Sequence, residues 1–307
     1  MKFPLSKIAH LFFAFSFFLI TSCSKNDDDI PPVVDAYISI PDTHFEARLI
    51  KEGIDSDGII NQQILKEDAE KVTTLTLALS ADFDKIDDLT GIEGFVNLKY
   101  LSATRHNLVS IDLSKNTQLE TLYLWGNNLS SIDFSYNTNL VFVDIQSNNF
   151  HSAASIKGLS NATNLIDLDI SWNYLEEFSI HNESLEVLHM SHNDLITVNT
   201  DGAINLRNVL LTSNKITTVD FSTNISLLTL LLSDNRIEQL NLENNTRLSH
   251  LYISSNLLTG LDVSNNQQMV DLKVDRNPTL RCIKIHNSQY IPYTSLSNYQ
   301  ELNILCN

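Results

Sequence analysis

Cysteine is nearly absent from this chain of 307 residues: Cys23, Cys282 and Cys306 are all there is. Three residues so far apart form no C-x-x-C pair and no Cys/His metal spacing, which removes zinc-ribbon and dithiol chemistry. Glycine and proline are scarce, at 8 and 6, so the chain is neither fibrous nor low-complexity. Cations are the minority charge, 20 Lys and Arg against 37 Asp and Glu, for a net charge of −17. Acidity of that size disfavours nucleic acid and anionic membrane as partners. The apolar run from Leu11 to Ile20 is too short for a comfortable membrane span.

What the chain has in abundance is leucine at fixed spacing. From Leu98 to Asn277 it repeats L-x-x-L-x-L-x-x-N: Leu119, Leu122, Leu124, Asn127; then Leu140, Val143, Ile145, Asn148; then Leu165, Leu168, Ile170, Asn173. The frame continues through Asn193, Asn214, Asn235 and Asn256, mostly in steps of 21 residues. A period this regular means a solenoid, whose coils cannot fold singly and bury their core by stacking. In L-x-L the two apolar residues share one face of a short strand, and the first leucine enters the same core from the preceding turn. The asparagine amide donates and accepts, so stacked amides can satisfy backbone groups that water does not reach. A second apolar pair follows in the back half of many coils, as Ile132 and Phe134 or Leu261 and Val263, with Asp133 or Asp262 pointing outward between them. The convex side is therefore expected to be short extended and turn segments.

This pattern resembles the leucine-rich repeat family in its short bacterial, internalin-like form, and nine units covering about two thirds of the chain carry the resemblance. It implies a β-dominated α/β-type horseshoe with a parallel β-sheet on its concave face. Ile40-Pro41-Asp42-Thr43-His44-Phe45 and the stretch to Glu70 look like the N-terminal cap of secreted members, Asp88 to Glu93 like their first turn, and Asn277 to Ile283 like their closing cap. The unit at Leu98 departs, with Ala103 and His106 where a large aliphatic and Asn are expected. The expected boundaries are 1–22 signal peptide, 23–34 acidic tether, 35–71 N-terminal cap, 72–280 repeats and 281–307 C-terminal cap.

Lys2 and Lys7 before the Leu11–Ile20 run, then Ile20-Thr21-Ser22-Cys23, resemble a bacterial lipoprotein signal. The resemblance implies lipidation, palmitate included, at Cys23, and hence a membrane anchor; the alternative is an ordinary secretory signal with an incidental cysteine. Removing residues 1–22 also removes Lys2 and Lys7, leaving the body two units more acidic. The acidic run Asp27-Asp28-Asp29 resembles an export signal to the outer leaflet of a Gram-negative outer membrane, the alternative being a solvated linker. With Cys23 acylated, Cys282 and Cys306 form an even pair that favours a disulfide in an exported chain, two free thiols being the alternative.

The outward positions of successive strands form columns on the concave face. Tyr100, Tyr123, Trp125 and Phe142 are expected to meet across strands as an aromatic patch, with Asp144, Asp169 and Trp172 beside it. Clustered exposed aromatics mark binding surfaces, although cross-strand aromatic pairs also stabilise a sheet for its own sake. His189, His192 and His250 with Asp167 and Asp169 spell a metal or triad grouping in letters alone, without a nucleophile elbow or oxyanion motif. Asp55-Ser56-Asp57-Gly58 looks like the middle of a calcium loop, but Gly53 and Ile64 stand where ligands are required, so a cap turn is the reading. The functional expectation is a non-catalytic surface protein that binds an extracellular or envelope protein, with no metal, cofactor or nucleic acid. Glycan capture through the aromatic patch is the alternative, and hydrolysis a distant third.

Overall fold

The computed structural model describes residues 36–77 and 84–306. The expected signal peptide, the lipidation candidate Cys23 and the tether lie outside the described residues.

The chain opens with a small cap. Helix α1 (Thr43–Lys51) starts where Asp42 accepts hydrogen bonds from the His44 and Phe45 N–H groups at 2.8 and 3.0 Å. Such a cap satisfies donors that a helix cannot satisfy itself. The other Asp42 oxygen accepts from the Asp87 and Asp88 N–H groups, tying the helix to the first turn of the solenoid. Strand Tyr37–Ser39 pairs antiparallel with Gln63–Leu65, and the short helix α2 (Lys66–Glu70) follows. Phe45 and Phe95 close the seam between cap and first coil, both fully buried.

Beyond the cap the leucine frame builds one parallel sheet of eleven strands, each three residues long. The nine strands centred on Leu101, Leu122, Val143, Leu168, Leu188, Val209, Leu230, Leu251 and Leu272 come from the nine sequence units. Thr74–Thr76 precedes them and Tyr293–Ser295 follows, neither with an asparagine to announce it. Pairing has no stagger: Leu122 lies opposite Leu101 and Val143, Leu230 opposite Val209 and Leu251. In the nine unit strands the central residues are buried and their neighbours, Asp144 apart, are more exposed, as the period of two requires; in the last strand the central Thr294 is exposed. Each buried aliphatic contributes about 1.5–3 kcal/mol relative to exposure.

The asparagines form a ladder between coils. Asn127 donates through Nδ2 to the Ala103 and Leu124 carbonyls and accepts from the Leu108 N–H; Asn148 repeats the set with Leu124, Ile145 and Leu129. His106 takes this place in the first coil: Nε2 bonds the Leu77 carbonyl at 2.9 Å and Nδ1 accepts from the Ile86 N–H, with the ring buried. Its departure from the repeat is thus a substitution of one bifunctional side chain for another. A second ladder runs up the back edge. Asn116, Asn137, Asn224, Asn245 and Asn266 are fully buried and each donates to two carbonyls of the coil below, as Asn245 does to Phe221 and Asn224.

The residue before each asparagine of the first ladder, and before His106, is left-handed. Gly126 sits there at φ +73°, but so do Arg105, Ser147, Trp172, His192 and Ser213. The convex side is extended, with short pairs such as Ile132–Asp133 with Ile156–Lys157, and Leu261–Asp262 with Cys282–Lys284. Asp112, Asp133 and Asp220 are exposed there, and each accepts from the N–H of the serine two residues on; hydrogen bonding from that serine's side chain and backbone holds the carboxyl below the usual range. Both described α-helices lie before Lys71. At the far end Cys282 and Cys306 are joined in a disulfide with Cα atoms 5.6 Å apart.

Candidate functional site

The zero-stagger register places the outward residues in straight columns. One runs Tyr100, Thr121, Phe142, Asp167, Val187; its neighbour runs Ser102, Tyr123, Asp144, Asp169, His189. Tyr123 stands diagonal to both Tyr100 and Phe142, with ring centroids at 5.7 and 4.8 Å and planes tilted by 48° and 37°. These three form a continuous aromatic ladder across three strands. Trp125 lies two residues beyond Tyr123, half-buried, with no ring pairing to the ladder among the described residues. Trp172 departs further. It occupies the left-handed turn position at φ +57°, three residues beyond the strand Asp167–Asp169. There it stacks on His192 with centroids 3.8 Å apart and planes within 14°, and remains 55% exposed. His151 and Tyr174 form a second stack, at 4.7 Å.

The ladder runs directly into carboxylates. Asp144 is only 6% exposed and accepts from the Gln146 N–H and Nε2. Burial pushes its carboxyl up, and nearby Asp169 adds to the push. Asp167 is pushed up as well, first by burial and also by Asp169, against the opposing effect of His189. Its Oδ1 is buried without a hydrogen bond, 3.6 Å from His189 Nε2. Asp169 accepts from the Ser171 N–H at 2.8 Å. The Tyr123 hydroxyl is pushed up by burial, then by Tyr100, Asp144 and Asp167. All three shifts have the sense expected of negative charge gathered where water is partly excluded.

The lower half of the same face differs. Tyr252 donates to Asp271 at 2.6 Å, and Lys273 Nζ lies 3.7 Å over the Tyr252 ring. Arg276 pairs with Asp275 at 2.8 Å.

The histidines do not assemble. His189 faces Asp167, His192 stacks on Trp172, and His250 Nδ1 meets Ser249 Oγ at 2.8 Å. Among the described residues no three His, Cys, Asp or Glu side chains are grouped to hold a metal ion. In the cap, Asp55 is 3% exposed with neither oxygen hydrogen-bonded, and Glu46 is fully buried with Oε2 unpaired. The Trp172–His192 and His151–Tyr174 stacks were invisible in the strand columns, because these residues belong to turns; the left-handed position before each asparagine is the signal that locates Trp172 and His192.

No protein-family model and no curated protein matches the chain. Among solved structures, the functional domain of InlJ from Listeria monocytogenes, described as including a cysteine ladder, superposes with TM-score 0.71 at 24% identity, covering 88% of this chain and 63% of its own. The leucine-rich repeat domain of APL1 gives TM-score 0.59 at 24% identity over 77% of this chain and 65% of its own, and a chain of the LRIM1/APL1C complex gives 0.53 at 23% over 71% and 44%. The present chain thus spans less than two thirds of the length of each. These likenesses establish the fold: a leucine-rich repeat horseshoe whose parallel sheet lines the concave face.

Proposed function

We propose that this protein is a non-catalytic binding module that holds a partner protein on the concave face of its leucine-rich repeat sheet, outside the cell and tethered by lipid at Cys23 to the outer membrane. The observation that carries the reading is the Tyr100–Tyr123–Phe142 ladder, set on the parallel sheet and continuous with Asp144, Asp167 and Asp169. Aromatic anchors beside charge, on hydrogen-bonded strands in register, are the composition of an interface hot spot. That a neighbour of this fold is a complex, LRIM1/APL1C, adds support. The tethering rests on the sequence around Cys23 and on the acidic run after it.

Glycan capture is the second reading, and the Trp172–His192 stack favours it, because one flat, exposed indole is a platform for a sugar ring. The sheet ladder argues the other way: its rings tilt against one another by 48° and 37° and so present no single flat platform.

Protease shaving of intact cells, with a periplasmic control, tests the address. Loss of this protein while the control survives supports outward display; protection of both defeats it. Capture of extracellular proteins and of polysaccharides by the wild type, Tyr123→Ala and Trp172→Ala then separates the readings. A protein partner burying about 1,200 Å² or more is lost with Tyr123→Ala. Loss of polysaccharide binding with Trp172→Ala alone makes the protein a glycan binder.

A further inference from the structure

The concave face contains one solved example of its own recognition chemistry. Tyr252 and Lys273 are register neighbours on adjacent strands, and the Lys273 ammonium sits over the Tyr252 ring while the Tyr252 hydroxyl donates to Asp271. Ring face, carboxylate and cation are all supplied by the chain, so that end of the sheet is internally complete.

Six strands earlier the same column holds Tyr123, and its register neighbour is Asp144 where Lys273 would stand. Asp169 follows in the column and Asp167 stands beside it. The ring and the carboxylates are present and the cation is not. Among the outward residues of the nine strands from Tyr100–Ser102 to Asp271–Lys273, together with the residue two beyond each strand (Thr104 through Asp275), the single lysine or arginine is Lys273. Lys99 and Arg207, which flank the sheet, are committed to Glu120 at 2.9 Å and Glu186 at 3.3 Å. His189, at 3.6 Å from Asp167, is the one basic side chain facing the three carboxylates among the described contacts.

We infer that the upper concave face, from Tyr100 to Asp169, is built to receive a lysine or arginine side chain from a basic segment of the partner protein. The apolar stem of that side chain lies along the Tyr123 and Phe142 rings, and its charged head enters between Asp144 and Asp169. Long basic side chains bury their stems on apolar surface while the head seeks charge, and a guanidinium fork bonds carboxylates two at a time. An anionic ligand has no counterpart for these three carboxylates. The inference rests on the protein-binding reading above and names the chemistry of the partner.

The test is calorimetric titration of the purified protein with a short glycine–arginine peptide and with the same peptide carrying citrulline, which keeps the shape of arginine and removes its charge. Asp144→Asn with Asp169→Asn is the site variant. Asp133→Asn with Asp220→Asn on the convex side is the charge-matched control, since Asn241 already fills the equivalent turn there. Asp169→Asn alone serves if the double variant is misfolded by circular dichroism. The expected result is arginine peptide bound at least about tenfold more tightly than citrulline, with that preference lost in the site variant and kept in the control. Equal binding of both peptides, or equal loss in site and control variants, overturns the inference. Partner capture by wild type and Tyr123→Ala is read separately, so a protein-binding face that ignores arginine remains distinguishable from one that binds no protein.

Discussion

Replacing Asn235 tests the asparagine ladder at its centre. Its Nδ2 donates to the Leu211 and Leu232 carbonyls at 2.9 and 3.0 Å, and its Oδ1 accepts from the Ile216 N–H at 3.0 Å. Each carbonyl has a second donor, Asn214 for Leu211 and Asn256 for Leu232, whereas no other acceptor is seen for the Ile216 N–H. Asn235→Ala therefore leaves one buried N–H with no partner, at about 1–3 kcal/mol, and weakens two carbonyls by a further fraction, for a total of about 2–4 kcal/mol. Asn235→Asp keeps the acceptor but replaces both donated bonds by a carboxylate oxygen facing two carbonyls. It is expected to cost more than alanine at pH 7. Burial and those carbonyls raise the folded-state pKa of the new carboxyl above its unfolded value. Its stability contribution is fully present below the unfolded pKa and is lost as pH rises through the folded one. Urea unfolding of both variants at pH 7 and pH 5 reads the difference: the aspartate variant gains on alanine as pH falls. An aspartate variant as stable as alanine at pH 7, or a gap that ignores pH, refutes the reading of the amide as both donor and acceptor.

Asp55→Asn is expected to stabilise the cap. Burial, together with Asp57, Glu46 and Asp68, pushes the Asp55 carboxyl up to about 6, so its contribution is present in acid and lost as pH rises through that value. The gain is at most about 1–3 kcal/mol at pH 7 and vanishes near pH 4, by urea unfolding at the two pH values. His106 works in the opposite sense. Burial holds its pKa below the ordinary value, and a ring that accepts from Ile86 loses that bond on protonation, so wild-type stability falls as pH drops below the unfolded histidine pKa. His106→Asn restores the repeat residue and is expected to flatten that acid slope; an unchanged slope places the acid sensitivity elsewhere. Replacing Cys282 and Cys306 by serine opens a loop of separation 24, costing about 3 kcal/mol. Hydrogen exchange should speed at Glu301–Asn303 while the central strands keep their protection.

The repeats were legible because their determinants are local. Leu119, Leu122, Leu124 and Asn127 specify a strand and turn within nine residues, and stacking then sets the register without further instruction. The strands at Leu75 and Thr294 were harder to see, since end coils lack the asparagine that marks the interior ones. The second ladder, at Asn116, Asn137, Asn245 and Asn266, was written three residues before each first leucine, yet the letters do not say that these asparagines turn inward. The aromatic ladder followed from column arithmetic, whereas Trp172 did not, because it belongs to a turn rather than to a strand. The unpaired oxygens of Glu46 and Asp55 depend on how nine residues of separation are folded back, which no period reports.

Because strand and asparagine hydrogen bonds both run from coil to coil, the molecule has a mechanical grain. Tension applied to its two ends works against one coil boundary at a time, so the chain should lengthen in quanta. Each quantum frees about 21 residues, or roughly 70 Å of contour at 3.3–3.6 Å per residue. The disulfide locks the last coil against this peeling, which leaves the cap with its uncompensated carboxylates as the end that gives first. Load arriving sideways, on the concave face, is shared across many strands at once. A protein gripped there resists detachment better than one drawn out by its termini.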